Sequence, residues 1–202
     1  MSVFETDITM SKMAQVRKRV EKVCTDPVVN LLEKTGITPN TLTWIGFFIA
    51  LVTAVFAALG NLPVAGLLLL FGGYFDMLDG SLARRTGKVS VFGEVLDSTL
   101  DRLSEGAVLI GILYWFTVVG SVWGIMLVGV TMLSSLVVSY IRAKAEIIKV
   151  ECLKGLFTRP ERVIALAVGF FINRLEIAIG IIAFFSMITV GQRLYHVWRQ
   201  LK

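Results

Sequence analysis

Four aspartates stand at the edges of the most apolar segments of this 202-residue chain. Asp76 and Asp79 are three residues apart, and Asp97 and Asp101 are four apart, so each pair projects from one face of a helix. An ionised carboxylate in hydrocarbon costs about 2.5 to 3.5 kcal/mol, so four of them cost on the order of 10 kcal/mol. A chain that keeps all four must offset that cost by other interactions. We expect those interactions to be part of the protein's function.

The connection between the two pairs is short, "RTGKVSVF" at 85–92, and this predicts that the four carboxylates meet around one point. Hard divalent cations such as Mg²⁺ or Mn²⁺ would neutralise them, since no His or Cys lies nearby to favour zinc. Two such ions about 3.5 to 4 Å apart form the usual clamp for displacement at phosphorus. The sequence therefore predicts a site for phosphoryl chemistry.

Small and basic residues accompany the acids. Those that suit a phosphate-bearing ligand are Gly80, Ala83, Arg84 and Gly93. The glycines permit close approach of a ligand to the backbone, and the guanidinium offers a planar fork of donors. Each of these residues, taken alone, is better explained by helix packing or by anchoring at the membrane surface. Neither explanation accounts for the acids.

The composition, 55% hydrophobic and 17% charged, is that of a membrane protein. Two uncharged stretches are each about twice as long as one membrane-spanning helix, and each contains residues typical of a turn. A third pair of apolar segments flanks "INRLE". The predicted pairs lie within 35–75 with a turn at 60–63, within 106–141 with a turn at 118–124, and at 160–171 with 177–190. We predict an all-α integral membrane protein with six transmembrane helices in three hairpins, each helix extended by polar turns at one end.

Of the 20 lysines and arginines, only Arg174 falls in a turn on the far side. By the positive-inside rule, both termini and the acidic cluster face the cytoplasm, in a multi-pass protein of the cell membrane. Residues 1–40 are predicted to be an amphipathic juxtamembrane segment, and 41–202 the six-helix domain. The apolar positions of the amphipathic helix are Met13, Val16, Val20 and Val23.

No cleavable signal peptide is expected, because the first 30 residues are polar and mixed in charge. Cys24 and Cys152 are far apart in charged segments, so we expect reduced thiols and no disulfide. His196, beside Tyr195 and Trp198, is expected in an aromatic belt and not at a metal.

The acidic stretch resembles the signature of the CDP-alcohol phosphotransferases, D-x-x-D-G-x-x-A-R, eight residues, then G-x-x-x-D-x-x-x-D. All eight fixed identities stand at the right intervals, from Asp76 to Asp101. The resemblance extends to the topology, six spans after a juxtamembrane helix, and so covers nearly the whole chain. It implies a homodimer, for which the Gly-rich segments 106–111 and 124–129 offer packing surfaces.

The resemblance also implies a mechanism. Metal ions held by the acids would sit on the pyrophosphate of CDP-diacylglycerol or CDP-archaeol, and the glycines with Ala83 and Arg84 would shape the cytidine and phosphate pocket. Asp101 would be a metal neighbour and the general base for the acceptor hydroxyl, which attacks the lipid-side phosphorus and expels CMP. Asn40, in "TPNTLT", would lie near the nucleotide.

Three arginines at the predicted cytoplasmic ends of the fourth, fifth and sixth spans are placed to converge on one phosphate. Their segments resemble the inositol phosphate-using branch of the family, which implies a set of acceptor phosphate ligands: Ser139, Arg142, Arg162 and Arg193. Glycerol 3-phosphate is the alternative acceptor, because any phosphorylated alcohol suits these arginines. Serine, without a phosphate, suits them less.

A cation transporter is the competing interpretation, since acids inside a helical bundle also line ion paths. That class predicts acids at mid-membrane depth and on the far side. The acids instead cluster at one level, and the far-side turns hold only Arg174 and Glu176. A purely structural bundle leaves the acids unexplained, and no nucleic-acid partner is expected.

Overall fold

The computed structural model describes residues 25–150 and 157–202, which are helical throughout with short connections and no strand. The predicted all-α class is therefore confirmed. Helix α1 covers residues 25–35 of the described chain. The remaining helices are α2 Pro39–Ala58, α3 Leu62–Thr86, α4 Val91–Val118, α5 Val122–Ile147, α6 Arg159–Phe171 and α7 Leu175–Leu201.

The turns that separate the helix pairs fall where the sequence predicts them. Gly60 between α2 and α3 has φ +75°, and Gly120 between α4 and α5 has φ +74°. Asn173, between α6 and α7, also has a positive φ, of 55°. In each pair, this left-handed conformation ends the first helix and reverses the chain direction. Glycine and asparagine adopt it at the lowest energetic cost.

The six long helices of the described chain pack as a closed ring. Helix α2 packs on α3, α4 on α5 and α6 on α7, and the ring is completed by α2 on α4, α5 on α7 and α3 on α6. The interior is filled by a buried cluster that includes Ile112, Phe116, Val128, Phe170 and Ile179.

Helices α3 and α4 do not pack along each other, although they carry the two aspartate pairs. Helix α2 packs against both and lies between them. The two aspartate-bearing helices are therefore not a packed pair. The carboxylates instead approach one another across one end of the ring, which leaves room for a side chain from a third helix.

Four helices, α2, α3, α5 and α7, are long and apolar enough to cross a membrane. Helix α4 carries Asp101 and Glu105 well inside its length. Helix α6 has 13 residues, a rise of about 20 Å against a hydrocarbon thickness of about 30 Å. The structure thus has the features of a multi-pass helical membrane protein.

Helix α1 lies over the end of α3 that carries the aspartates. Val29 is buried with Leu42, Leu78 and Leu82, and Arg85 pairs with Glu33 at 3.3 Å. The apolar positions predicted for the amphipathic helix lie outside the described residues, as do both cysteines.

The glycines expected at a dimer surface divide into two groups. A Cβ on Gly111 would lie 2.3 Å from the carbonyl oxygen of Ala54, and one on Gly124 would lie 2.5 Å from the ring of Phe116. These two glycines therefore serve packing within the chain. Gly106 and Gly129 have no such neighbour within 4 Å in the described structure.

Candidate active site

A cleft between the ends of α2, α3 and α4, of about 240 Å³, contains every residue predicted to bind the CDP-lipid. We call it the glycine cleft, lined among others by Asn40, Thr43, Asp79, Gly80, Ala83, Arg84, Glu94, Gly93 and Asp97. A Cβ on Gly93 would lie 3.2 Å from Oδ1 of Asn40. The absence of a side chain at Gly93 thus keeps the cleft open and the Asn40 amide accessible.

Asp79 is oriented in this cleft by a residue of the neighbouring helix. The hydroxyl of Thr43 donates a hydrogen bond of 2.8 Å to Oδ2 of Asp79, and both side chains are buried. Thr43 was not singled out from the sequence, although it belongs to the same "TPNTLT" segment as Asn40. A buried carboxylate needs such a donor because water does not reach all of its lone pairs.

A larger cavity, of about 620 Å³, opens between α4, α5, α6 and α7. We call it the arginine cavity. Its polar lining includes Asp97, Asp101, Glu105, Ser139, Arg142, Glu146, Arg159, Arg162 and Arg193. All four residues predicted to hold the acceptor phosphate line it, together with two of the four aspartates. The glycine cleft and the arginine cavity share Glu94 and Asp97.

The three predicted arginines differ in how they are held. Arg142 is exposed and pairs with Glu146 at 2.8 Å. Arg193 is only 5% exposed, and it donates a 2.7 Å hydrogen bond to the carbonyl of Val138. Both side chains line the cavity, Arg142 from its exposed part and Arg193 from its buried part.

Arg162 is also 5% exposed and forms a two-point pair with Glu105, at 2.8 Å from Nε to Oε1 and 3.0 Å from Nη2 to Oε2. Ser135 donates to the same carboxylate at 3.0 Å. This geometry is the strong, planar form of the arginine–carboxylate pair. It ties α4, α5 and α6 together directly beneath the aspartates.

Arg159 lies between the two aspartate-bearing helices. Its Nη2 is 2.7 Å from Oδ2 of Asp76, and its Nη1 is 2.7 Å from Oδ1 of Asp101. Arg159 is the first residue of α6 and is followed by Pro160. The backbone N–H of Thr158 donates to the carboxylate of Glu161 at 2.8 Å, which starts the helix and points its first residue at the cluster.

Arg159 and Glu105 were missed by the sequence analysis, although signals for both exist. Glu105 continues the spacing of four from Asp97 and Asp101, so it lies on the same helix face. Arg159 stands inside a T-x-x-E capping box, which predicts a helix start at the level of the other basic clusters.

The four aspartates fit a hard divalent cation by their chemistry, since all are oxygen donors. Asp101 interacts electrostatically with each of the other three, so their charges are concentrated in one region. Within the described ranges, however, no three acidic, His or Cys side chains stand close enough together to hold a metal as they are. The Arg159 guanidinium lies between Asp76 and Asp101, the first and the last of the four.

Comparison with known proteins identifies the family of the chain. Residues 36–197 match the family model described as CDP-alcohol phosphatidyltransferase. The chain therefore belongs to the CDP-alcohol phosphatidyltransferase family, which makes it an enzyme and excludes the transporter alternative.

Among its relatives is an archaetidylinositol phosphate synthase of Pyrococcus horikoshii, 38% identical over 94% of this chain and 98% of that protein. A phosphatidylinositol phosphate synthase of Mycobacterium marinum is 36% identical over 94% of this chain and 86% of that protein.

The crystal structure of Mycobacterium tuberculosis phosphatidylinositol phosphate synthase with CDP-DAG bound is similar in fold, with a TM-score of 0.80 and 33% identity over 86% of this chain and 93% of that one. A second structure of that protein, in complex with manganese and citrate, has a TM-score of 0.78 and 32% identity over 87% of this chain and 88% of that one.

Proposed function

We propose that this protein transfers a phosphatidyl or archaetidyl group from a CDP-linked lipid to a hydroxyl of inositol phosphate and releases CMP, a step of phospholipid biosynthesis. The observation that carries the proposal is that the glycine cleft and the arginine cavity share Asp97. A nucleotide-bearing lipid in the glycine cleft and an anionic alcohol in the arginine cavity would meet at the aspartates. The names of the relatives support this acceptor.

The CDP moiety would occupy the glycine cleft. Gly80 and Gly93 would let the nucleotide approach the helix backbones, with Ala83 as a further small residue. Arg84 would donate to phosphate oxygens, and Asn40 would contact the nucleotide.

The aspartates Asp76, Asp79, Asp97 and Asp101 would hold two Mg²⁺ or Mn²⁺ ions. When bound, such ions supply charge neutralisation for the pyrophosphate and for the departing CMP. The manganese complex of the mycobacterial relative supports this choice of cation.

Asp101 would act as the general base. It lines the arginine cavity, and so it would face the acceptor hydroxyl and accept its proton as that oxygen bonds to the lipid-side phosphorus. The bond from this phosphorus to the bridging oxygen of CMP breaks in the same displacement. Atoms and charge balance when the proton stays on Asp101 until solvent removes it.

The phosphate of the acceptor would be held by Ser139, Arg142, Arg162 and Arg193. Arg142 is the most accessible of these three arginines. Arg162 is buried, and its pair with Glu105 would hold its guanidinium in place at the wall of the cavity. Because these residues would hold any phosphorylated alcohol, glycerol 3-phosphate remains the acceptor to test against inositol phosphate.

All six long helices would cross the cell membrane as three hairpins, with α4 and α6 shielded by their neighbours in the ring. The aspartates and the arginine cavity lie at one end of the ring, whereas Arg174 and Glu176 stand at the opposite end, which supports a cytoplasmic active site and cytoplasmic termini. The juxtamembrane segment would be 1–40 and the catalytic domain 41–202. A homodimer would use the faces that carry Gly106 and Gly129.

The test is an acceptor panel with purified protein. CDP-diacylglycerol or CDP-archaeol is supplied with Mg²⁺ and, in turn, inositol phosphate, glycerol 3-phosphate, inositol or serine, and CMP release is measured. We expect release with inositol phosphate, and its loss in EDTA and in Asp101→Asn. CMP release with glycerol 3-phosphate alone would overturn the proposal that inositol phosphate is the acceptor. No CMP release with any of the four alcohols would overturn the proposed transferase activity.

A further inference from the structure

Arg159 forms ion pairs with two of the four aspartates. Its guanidinium touches the first and the last of them, Asp76 and Asp101, at 2.7 Å each. These two aspartates belong to helices that do not pack on each other. One side chain of α6 therefore holds the two halves of the acidic motif together.

We propose that Arg159 is the tethered counter-ion of the metal-free cluster and that divalent cations displace it. This inference rests on the metal site of the proposed function. Without a cation, four carboxylates in a small volume repel one another by several kcal/mol, and a guanidinium placed among them reduces that repulsion. It supplies one positive charge where two divalent ions would supply four.

The guanidinium and a shared metal ion compete for the same place. Asp76 and Asp101 each direct an oxygen at Arg159, so an ion held between those two oxygens, at about 2.1 Å from each, would occupy the position of the guanidinium and exclude it from there. The Arg159 side chain is 31% exposed. It lines the arginine cavity, so a displaced guanidinium has space to turn into.

The consequence is a link between metal loading and the acceptor side of the site. Before loading, Arg159 neutralises the aspartates, and afterwards its charge is added to a cavity already lined by Arg142 and Arg193. An anionic acceptor would then meet a more positive cavity only when the cluster holds its ions.

Chemical modification of the wild-type protein tests the displacement directly. Full-length protein in phosphate-free buffer is treated with p-hydroxyphenylglyoxal in EDTA or in Mn²⁺, and arginine-containing peptides are quantified by mass spectrometry. Bound Mn²⁺ is counted by EPR in the same samples. Arg85, held by Glu33 at the same end of the molecule, is the internal control.

We expect Mn²⁺ to raise the modification rate of Arg159 about tenfold, because two charge-assisted contacts are released, and to leave Arg85 unchanged. Bound Mn²⁺ with an unchanged or lower rate at Arg159 would overturn the displacement while leaving the proposed metal site intact. Protein that binds no Mn²⁺ would overturn the metal site itself and the displacement with it.

Variants provide a second readout. Arg159→Gln should bind Mn²⁺ about tenfold more tightly than wild type, since the competing cation is gone, and should unfold at a lower temperature in EDTA but not in saturating Mn²⁺. Arg159→Lys, whose point charge cannot bridge two carboxylates, should fall between the two. Arg85→Gln is the matched control. Equal Mn²⁺ affinity in Arg159→Lys and wild type would overturn the bridging role.

Discussion

The hydroxyl of Thr43 on α2 donates a 2.8 Å hydrogen bond to Oδ2 of Asp79 on α3, and both side chains are buried. This contact joins the segment that begins the first long helix to the acidic motif. It sets the orientation of one carboxylate, and if Asp79 holds a metal as we propose, loss of such an orienting partner should cost about 10- to 100-fold in affinity or activity.

Thr43→Val keeps the shape of the side chain and removes the donor. A hydrogen bond to a charged group is worth about 1.5 to 3 kcal/mol, so we expect kcat/KM for CMP release to fall about 10- to 100-fold. Mn²⁺ binding, measured by EPR, should weaken in parallel. Thr43→Ser should retain most of the activity, and Thr117→Val, at the opposite end of the ring, should be neutral. Equal activity in the Val and Ser variants would remove Thr43 from the site.

Glu105→Gln leaves the buried Arg162 guanidinium without its countercharge. Removing one partner of a buried pair costs about 3 to 5 kcal/mol, and we expect the lower end because Glu105 is partly exposed. The free energy of unfolding in detergent micelles measures the loss. Glu146→Gln, which breaks the exposed pair with Arg142, should change stability by no more than about 0.5 kcal/mol. Similar losses in the two variants would contradict the structural role of Glu105.

Arg142→Ala tests the acceptor side of the arginine cavity. Because Arg142 is exposed and pairs only with its helix neighbour Glu146 in the described structure, its removal should hardly affect folding. We expect the KM for inositol phosphate to rise about tenfold, a loss of about 1.4 kcal/mol, with the KM for the CDP-lipid unchanged. Lys144→Ala, on the same turn but outside the cavity lining, is the control. An equal rise for both substrates would exclude Arg142 from the acceptor pocket.

Gly111→Ala tests the crossing of α2 and α4, which positions Thr43 relative to Asp97. The added Cβ would lie 2.3 Å from a backbone oxygen of Ala54, and backbone cannot move aside as a flexible side chain does. Overpacking of this kind costs about 1 to 3 kcal/mol, and thermal unfolding should report it. Gly180→Ala, whose Cβ would lie 3.7 Å from Leu127, should be neutral or stabilising. A stable Gly111→Ala variant would mean that the two helices separate easily.

Much of the fold was predictable because its signals are local. The turns at Gly60 and Gly120 follow from glycine within an uncharged stretch, and the helix pairs follow from the lengths between those turns. The extension of α3, α5 and α7 beyond their apolar parts was also predicted. The order of helices around the ring was not, because it depends on which faces pack, and lipid-facing and buried positions are equally apolar in such a chain.

The sequence by itself determined the residue types of the site: the eight identities from Asp76 to Asp101, which include the glycines of the glycine cleft, and the three arginines that line one cavity. Residue types at fixed intervals carry that information, since helix geometry converts spacing into a shared face. Only the tertiary structure decided that α2 separates the two aspartate-bearing helices, that Glu105 holds Arg162, and that Arg159 bridges Asp76 and Asp101. Those contacts join residues far apart along the chain, so only the packing of the ring brings them within hydrogen-bond distance.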